Sequence, residues 1–141
     1  MEGYRYAVDI DVRYRDLDPV GHVNNAVYAT YLEHARTNYY ADVLDLATEE
    51  LSFVLAHVEI DYERSITAED EVKVWIRVPR IGGKSMTTEF VVEASGEISA
   101  TAESVQVVVD EEGTPSPVPE EWRKTITEFE GEKNVEDAKT Q

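Results

Sequence analysis

Hydrophobic and polar positions alternate at the start of the chain. Tyr4, Tyr6, Val8, Ile10, Val12 and Tyr14 share one parity, with Arg5, Asp9, Asp11 and Arg13 on the other. Period two over this stretch predicts a half-buried strand. From about Ala26 the period changes: Tyr28, Leu32, Ala35, Tyr39, Val43 and Leu46 recur at steps of three or four. That is one stripe of an amphipathic helix. About twenty residues at 1.5 Å each make it roughly 30 Å long. The pattern supports no other long helix.

After it the strand pattern returns. "FVLAHVEIDYER" is rich in β-branched and apolar residues, and "DEVKVWIRVPRI" places Val72, Val74, Ile76 and Val78 in period two. "KSMTTEFVVEA" and "ISATAESVQVVVD" continue in the same style, and the glycines at Gly82, Gly83 and Gly96 mark turns joining the last three strands into a meander. Pro119, Glu120 and Glu121 are suited to start a short terminal helix through Trp122. The polar run from Glu128 reads as a flexible acidic tail. Residues 1–127 are thus expected to form a single domain and 128–141 its tail.

One striped helix beside an antiparallel sheet predicts an α+β domain with the helix lying across one sheet face. The other face, or a sheet edge, remains uncovered, and exposed apolar sheet surface invites association. A homodimer or homotetramer is expected.

Composition narrows the function. The 141 residues, 42% of them hydrophobic, suffice for one core. Thirty acidic residues against 13 basic ones give a net charge of -17. That excludes nucleic acid as a partner, since phosphate binding needs a basic surface, and disfavours an anionic membrane. One reading of so large an acidic excess is adaptation to a high-salt cytoplasm, where screening suppresses carboxylate repulsion. There is no Cys, hence no disulfide and no thiolate nucleophile. The N-terminal "MEGYRYAVDIDV" lacks the features of a signal peptide, and no apolar run is long enough to span a bilayer. A cytoplasmic location is expected.

The chemistry concentrates in "RDLDPVGHVNNAVYATYLEHAR", Arg15 to Arg36. Pro19 holds the Asp18 backbone extended, and Gly21 permits a left-handed bend. Asn24 and Asn25 are suitable N-caps for the helix that follows. The first turn of a helix carries unpaired N–H groups and partial positive charge, which suit a developing oxyanion. A carboxylate just upstream is placed to attack the neighbouring carbonyl or to activate a water. The residue types alone leave two readings open, this one and ordinary turn and cap chemistry.

"DLDPVGHVNNAVYATYLEHAR", set after a first strand and before a meander, resembles the signature of hot-dog-fold acyl-CoA thioesterases of the 4-hydroxybenzoyl-CoA thioesterase type. "DLD…HVNN…Y…LE" is also similar to acyl-carrier-protein and long-chain acyl-CoA thioesterases, and the likeness runs from about Tyr4 to Asp110. The resemblance implies an antiparallel sheet wrapped around one long helix. It implies Asp18 as nucleophile or general base on a thioester carbonyl, with the backbone N–H near Asn25 polarising that carbonyl. It assigns site-shaping roles to Gly21, His22, Asn24 and Tyr28, and matches Glu33 to a glutamate proposed for some relatives. Across a dimer, His57 and Glu59 are expected to face the site. Lys84 and Ser85 are candidates for holding the CoA nucleotide, with Arg13, Arg15, Arg64, Arg77 and Arg80 as further cations. Aromatic-specific relatives carry bulky apolar residues where this chain has "HVNN", which points to a fatty acyl group.

Asp16 reads as a turn residue and His34 as a surface or packing residue. His57 is equally suited to a core position and to a substrate contact. Along the chain the three His and the many carboxylates show no metal-ligand spacing, so neither metal nor cofactor is expected. Two readings compete with acyl-CoA hydrolysis on this fold: a non-catalytic acyl-CoA-binding or sensing module, and a hydratase.

Overall fold

The computed structural model describes residues 1–50 and 52–139. Strand β1 is Tyr6–Ile10, shorter than the alternation suggests. The pattern is cut because Asp16 folds the chain back: its carboxylate accepts from the Arg13 N–H at 2.9 Å, and Tyr14–Asp16 form a 3-10 turn that leaves Tyr14 in solvent. The helix α1 follows at Val27–Leu44 and stops at Asp45, whose φ of 56° is left-handed. Leu46, assigned to the helical stripe by spacing, lies just beyond it.

Four strands come next: β2 Phe53–Tyr62, β3 Val72–Gly82, β4 Ser85–Ala94 and β5 Glu97–Val108. The β4–β5 turn uses Ser95 and Gly96 at φ 49° and 85°, the positive pair that a tight hairpin requires. The sheet order is β1-β3-β4-β5-β2, every neighbouring pair antiparallel. In β3 the residues Val72, Val74, Ile76 and Val78 are all buried, as period two requires.

Helix α1 lies across that apolar face. Tyr28, Leu32, Ala35 and Tyr39 share one core with Val74, Ile76, Phe90, Val92 and Ala100. The sheet wrapped on a single long helix is the hot-dog arrangement.

At the C-terminus the polar pattern misleads. Glu128–Glu130 complete α2, which runs Glu120–Glu130, and β6, Glu136–Ala138, pairs parallel with β3. Two buried charges dock this segment. Arg123 donates to the Gly82 carbonyl at 2.9 Å and to Asp137 at 2.6 Å. Glu130 accepts from the Tyr39 hydroxyl at 2.6 Å and from the Val78 N–H at 3.2 Å. Among the described residues, no helix is long and apolar enough to cross a membrane.

At the opposite sheet margin, β2 pairs among the described residues with β5 alone. Val54, Leu55, Val58 and Tyr62 on it are 51%, 48%, 41% and 45% exposed, an apolar edge of a kind that monomeric proteins usually cover or charge.

Candidate active site

The loop between β1 and α1 closes on Asp18. Its N–H donates to the His22 carbonyl at 2.7 Å, and its own carbonyl accepts from the Gly21 N–H at 3.0 Å. Asp18 Oδ1 accepts from the N–H groups of Val20 at 2.9 Å and His22 at 3.1 Å. The bend needs Gly21 at φ 86°. A Cβ there would meet nothing within 4 Å, so backbone conformation and not crowding selects the glycine. With Oδ1 fixed by two amides, Oδ2 is left without a hydrogen-bond partner among the described residues.

Asp16 is used differently. Its carboxylate accepts from the Tyr31 hydroxyl at 2.8 Å and its carbonyl from the Asn24 N–H at 2.8 Å, which ties the loop to α1.

The helix start departs from simple side-chain capping. Ala26 is the N-cap by backbone geometry, and no side chain caps it. Asn24 Oδ1 instead accepts from the Ala26 N–H at 2.9 Å, a turn closed one step ahead of the helix. The Val27 and Tyr28 amides are taken by the carbonyls of Asn24 and Asn25, at 2.9 and 3.4 Å. The Asn25 N–H donates to no acceptor among the described residues.

A cleft of about 390 Å³ joins these groups, lined by Asp18, His22, Asn25 and Tyr28 on one side and by Tyr62, Glu63, Arg64 and Ser65 on the other. The Tyr28 hydroxyl shares a 2.9 Å hydrogen bond with Ser99 Oγ, and burial raises its pKa above the ordinary phenol value. Its ring meets Tyr62 edge-on at 4.9 Å. Tyr62 also donates to the Asn25 carbonyl at 2.7 Å. Strand parity aligns Tyr62 with Val58 and Ile60 and so held a signal for it; Ser65 follows β2 and had none.

The other residues singled out in the sequence lie elsewhere in the protomer. Glu33 is exposed on α1. Lys84 and Ser85 form the β3–β4 turn, where Ser85 opposes Val107, which opposes Val54 at the start of β2. The cleft lies at the other end of β2, eight residues or roughly 26 Å away. His57 and Glu59 point from the sheet face opposite α1 and bond each other at 2.9 Å. There Glu59 stands directly across from Glu103, and the ligand atoms of His57, Glu59 and Glu103 lie within 4.8 Å of one another. The chain's linear spacing hid this metal-ligand grouping because it forms across two strands. It is largely exposed, and none of the three lines the Asp18 cleft.

Two residues lining one cleft at the start of the long helix of a hot-dog domain, one with a carboxylate oxygen and one with an amide unpaired among the described residues, are the parts an acyl-transfer hydrolase needs. The chain belongs to the thioesterase-like superfamily, whose family model matches residues 12–126, and it is a thioester hydrolase. A thioesterase of Thermus thermophilus, in a structure complexed with coenzyme A and Zn, is 44% identical at a TM-score of 0.87, covering 93% of this chain and 98% of that one. The long-chain acyl-CoA thioesterase FadM of Escherichia coli is 30% identical over 106 residues, 72% of this chain and 80% of that protein. The uncharacterized protein YsmA of Bacillus subtilis is 27% identical over 105 residues, 73% of this chain and 71% of that protein.

Proposed function

We propose that this enzyme hydrolyses acyl-CoA thioesters to the free acid and CoA, with Asp18 as the reacting carboxylate and the Asn25 N–H as oxyanion donor. One observation carries the reading: Asp18, whose Oδ2 has no partner among the described residues, and Asn25, whose amide has no acceptor among them, line the same cleft. Asp18 either attacks the thioester carbon, expelling CoA thiolate and leaving an anhydride that water opens, or takes a proton from the attacking water. In both courses the C–S bond breaks and a C–O bond forms; in the first the thiolate takes a proton from solvent and the water that opens the anhydride returns one while restoring Asp18, and in the second Asp18 passes the water's proton to the departing sulfur. The helix-start amide and dipole stabilise the oxygen on which charge collects.

The likeness to a thioesterase crystallised with CoA and to a long-chain acyl-CoA thioesterase supports CoA as carrier and an aliphatic acyl chain. Arg64, on the cleft wall and ion-paired with Glu97, is the cationic residue of the cleft lining that could meet a CoA phosphate.

The working unit in this reading is a homodimer, alone or within a homotetramer, formed by antiparallel pairing of β2 with β2 of a second copy. Such pairing sets the start of the partner's β2 beside Tyr62, which moves the partner's β3–β4 turn, with its lysine and serine, to the cleft's end of the composite sheet. His57 and Glu59 stay on the outer face. The acidic surface fits a high-salt cytoplasm, the same reading that its charge balance invites.

The test is thiol release from octanoyl- to palmitoyl-CoA by the purified protein. Saturable release is expected; saturable binding without any release overturns hydrolysis in favour of an acyl-CoA sensor.

A further inference from the structure

Strand β2 does not keep one parity along its length. Phe53 and Leu55 stand opposite Val108 and Gln106, both buried, whereas His57 and Glu59 stand opposite Val105 and Glu103 on the other face of β5. A bulge between Leu55 and His57 makes the change. Unbroken alternation from Phe53 would turn His57 towards α1 and away from Glu59. Bulges re-aim side chains in this way. Here the result is an imidazole set beside carboxylates on the outer face of the sheet.

That face carries a row of acids. Glu59 lies directly across from Glu103, and Glu103 lies directly across from Glu89 on β4. Like charges opposite each other on neighbouring strands repel. Arg77 relieves the far end of the row, donating from Nε to Glu89 at 2.9 Å. Glu59 has the His57 ring at 2.9 Å. Glu103, half-buried in the middle, makes no hydrogen bond or ion pair among the described residues. A cleft of about 200 Å³ is lined by these three glutamates together with Asp61 and Tyr4.

The ligand atoms of His57, Glu59 and Glu103 lie within 4.8 Å of one another. Donors about 2.0 Å from one tetrahedral ion are roughly 3.3 Å apart. Small rotations of three solvent-accessible side chains close that difference. We propose that His57, Glu59 and Glu103 bind one divalent cation of the zinc class, with water completing its coordination from the cleft. The imidazole nitrogen selects against Mg²⁺ and Ca²⁺, which take oxygen donors. Two carboxylates balance the charge of the ion. It replaces the repulsion between Glu59 and Glu103 with a bridge, and so ties the edge strand β2 to β5. None of the three residues lines the Asp18 cleft, so the ion's part is structural. The linear sequence points to no metal because the third ligand joins the set only across the ladder.

The experiment titrates the untagged, chelator-stripped protein with Zn²⁺ by calorimetry and repeats the titration with Mg²⁺. One Zn²⁺ per chain is expected, bound at least about tenfold more tightly than Mg²⁺. Affinity should fall as pH drops through the imidazole range near about 6.5, where protons compete for His57. His57→Ala and Glu103→Gln should each weaken binding by about tenfold or more, since even a residue behind a ligand is worth that much. In the wild type, added Zn²⁺ should slow amide exchange in β2, which locates the ion without any variant. Wild-type affinity in either folded variant, as for an ion held at His22 or His34, overturns the inference. So does the absence of binding at submillimolar Zn²⁺, or exchange that slows elsewhere and not in β2. An affinity for Mg²⁺ equal to that for Zn²⁺ overturns the class of ion.

Discussion

The Tyr62 hydroxyl, at the end of the edge strand β2, donates a 2.7 Å hydrogen bond to the main-chain carbonyl of Asn25, at the start of α1. The peptide plane that follows Asn25 is thereby anchored to the sheet. The Asn25 N–H, the proposed oxyanion donor, belongs to the preceding plane, one rotatable pair of bonds away. Sheet edge and proposed oxyanion donor are mechanically joined.

Removing that anchor is expected to cost more in rate than in stability. Tyr62→Phe keeps the ring contact with Tyr28 and loses one exposed hydrogen bond, about 1 kcal/mol of stability. A loosened donor lowers kcat by roughly tenfold, since misplacement by a fraction of an ångström weakens oxyanion stabilisation. Steady-state kinetics beside a thermal melt separates the two effects, with KM expected to stay within about twofold.

The apolar edge on β2 predicts association. Wild-type protein at micromolar concentration should scatter light as a dimer or tetramer. Val58→Lys places a charge in the edge and should yield a folded monomer with thioesterase activity reduced by about tenfold or more, because the cleft loses its partner wall. A wild-type monomer with full activity contradicts the dimer.

The buried pair of Tyr39 and Glu130 predicts a pH dependence. Burial raises the Glu130 carboxyl above the ordinary glutamate value, against the lowering pull of its hydrogen bonds from Tyr39 and Val78. Folded chain therefore keeps the Glu130 proton at pH values where unfolded chain has lost it. The stabilisation from this proton is complete below the ordinary glutamate value and is lost as pH rises through the raised one. Glu130→Gln has no proton to lose there. Melting both proteins from pH 4 to pH 7 should show the wild type losing ground to the variant as pH rises. Parallel curves would contradict the shift.

Much of this architecture is legible in the residues alone, and the failures have physical causes. Period two and period 3.6 locate α1, β3, β4 and β5 because each buries one face against the same core; β1 and β2 are only partly buried, and β2 is legible by its β-branched and apolar content. The site loop is legible because Asp-Pro, Gly and Asn each fix a backbone conformation. What misleads is polarity at the C-terminus: Arg123 and Glu130 count as solvent-facing in any hydropathy pattern, yet each is buried on carbonyls, amides or a tyrosine contributed by β3 and α1. Arg36 hides for the same reason, as a charge inside an apolar stripe. The His57, Glu59 and Glu103 grouping, and the distance of Lys84 and Ser85 from the cleft, depend on strand register, which no single segment encodes.

The charge of -17 predicts a salt response. Carboxylates crowded on one small surface repel one another, and ions screen that repulsion. The melting temperature should rise between dilute buffer and multimolar KCl. A flat or falling curve would assign the acidity to something other than salt adaptation.

The central claim is that the carboxylate of Asp18 acts on the substrate carbonyl. Asp18→Asn preserves the Oδ1 contacts to the Val20 and His22 amides while removing the charge from the opposite atom, so the loop is expected to keep its shape. Measured by thiol release on the best acyl-CoA, kcat should fall by about 10²-fold or more, with the melting temperature and the affinity for CoA near those of the wild type. Undiminished turnover by a folded Asp18→Asn protein would contradict the account.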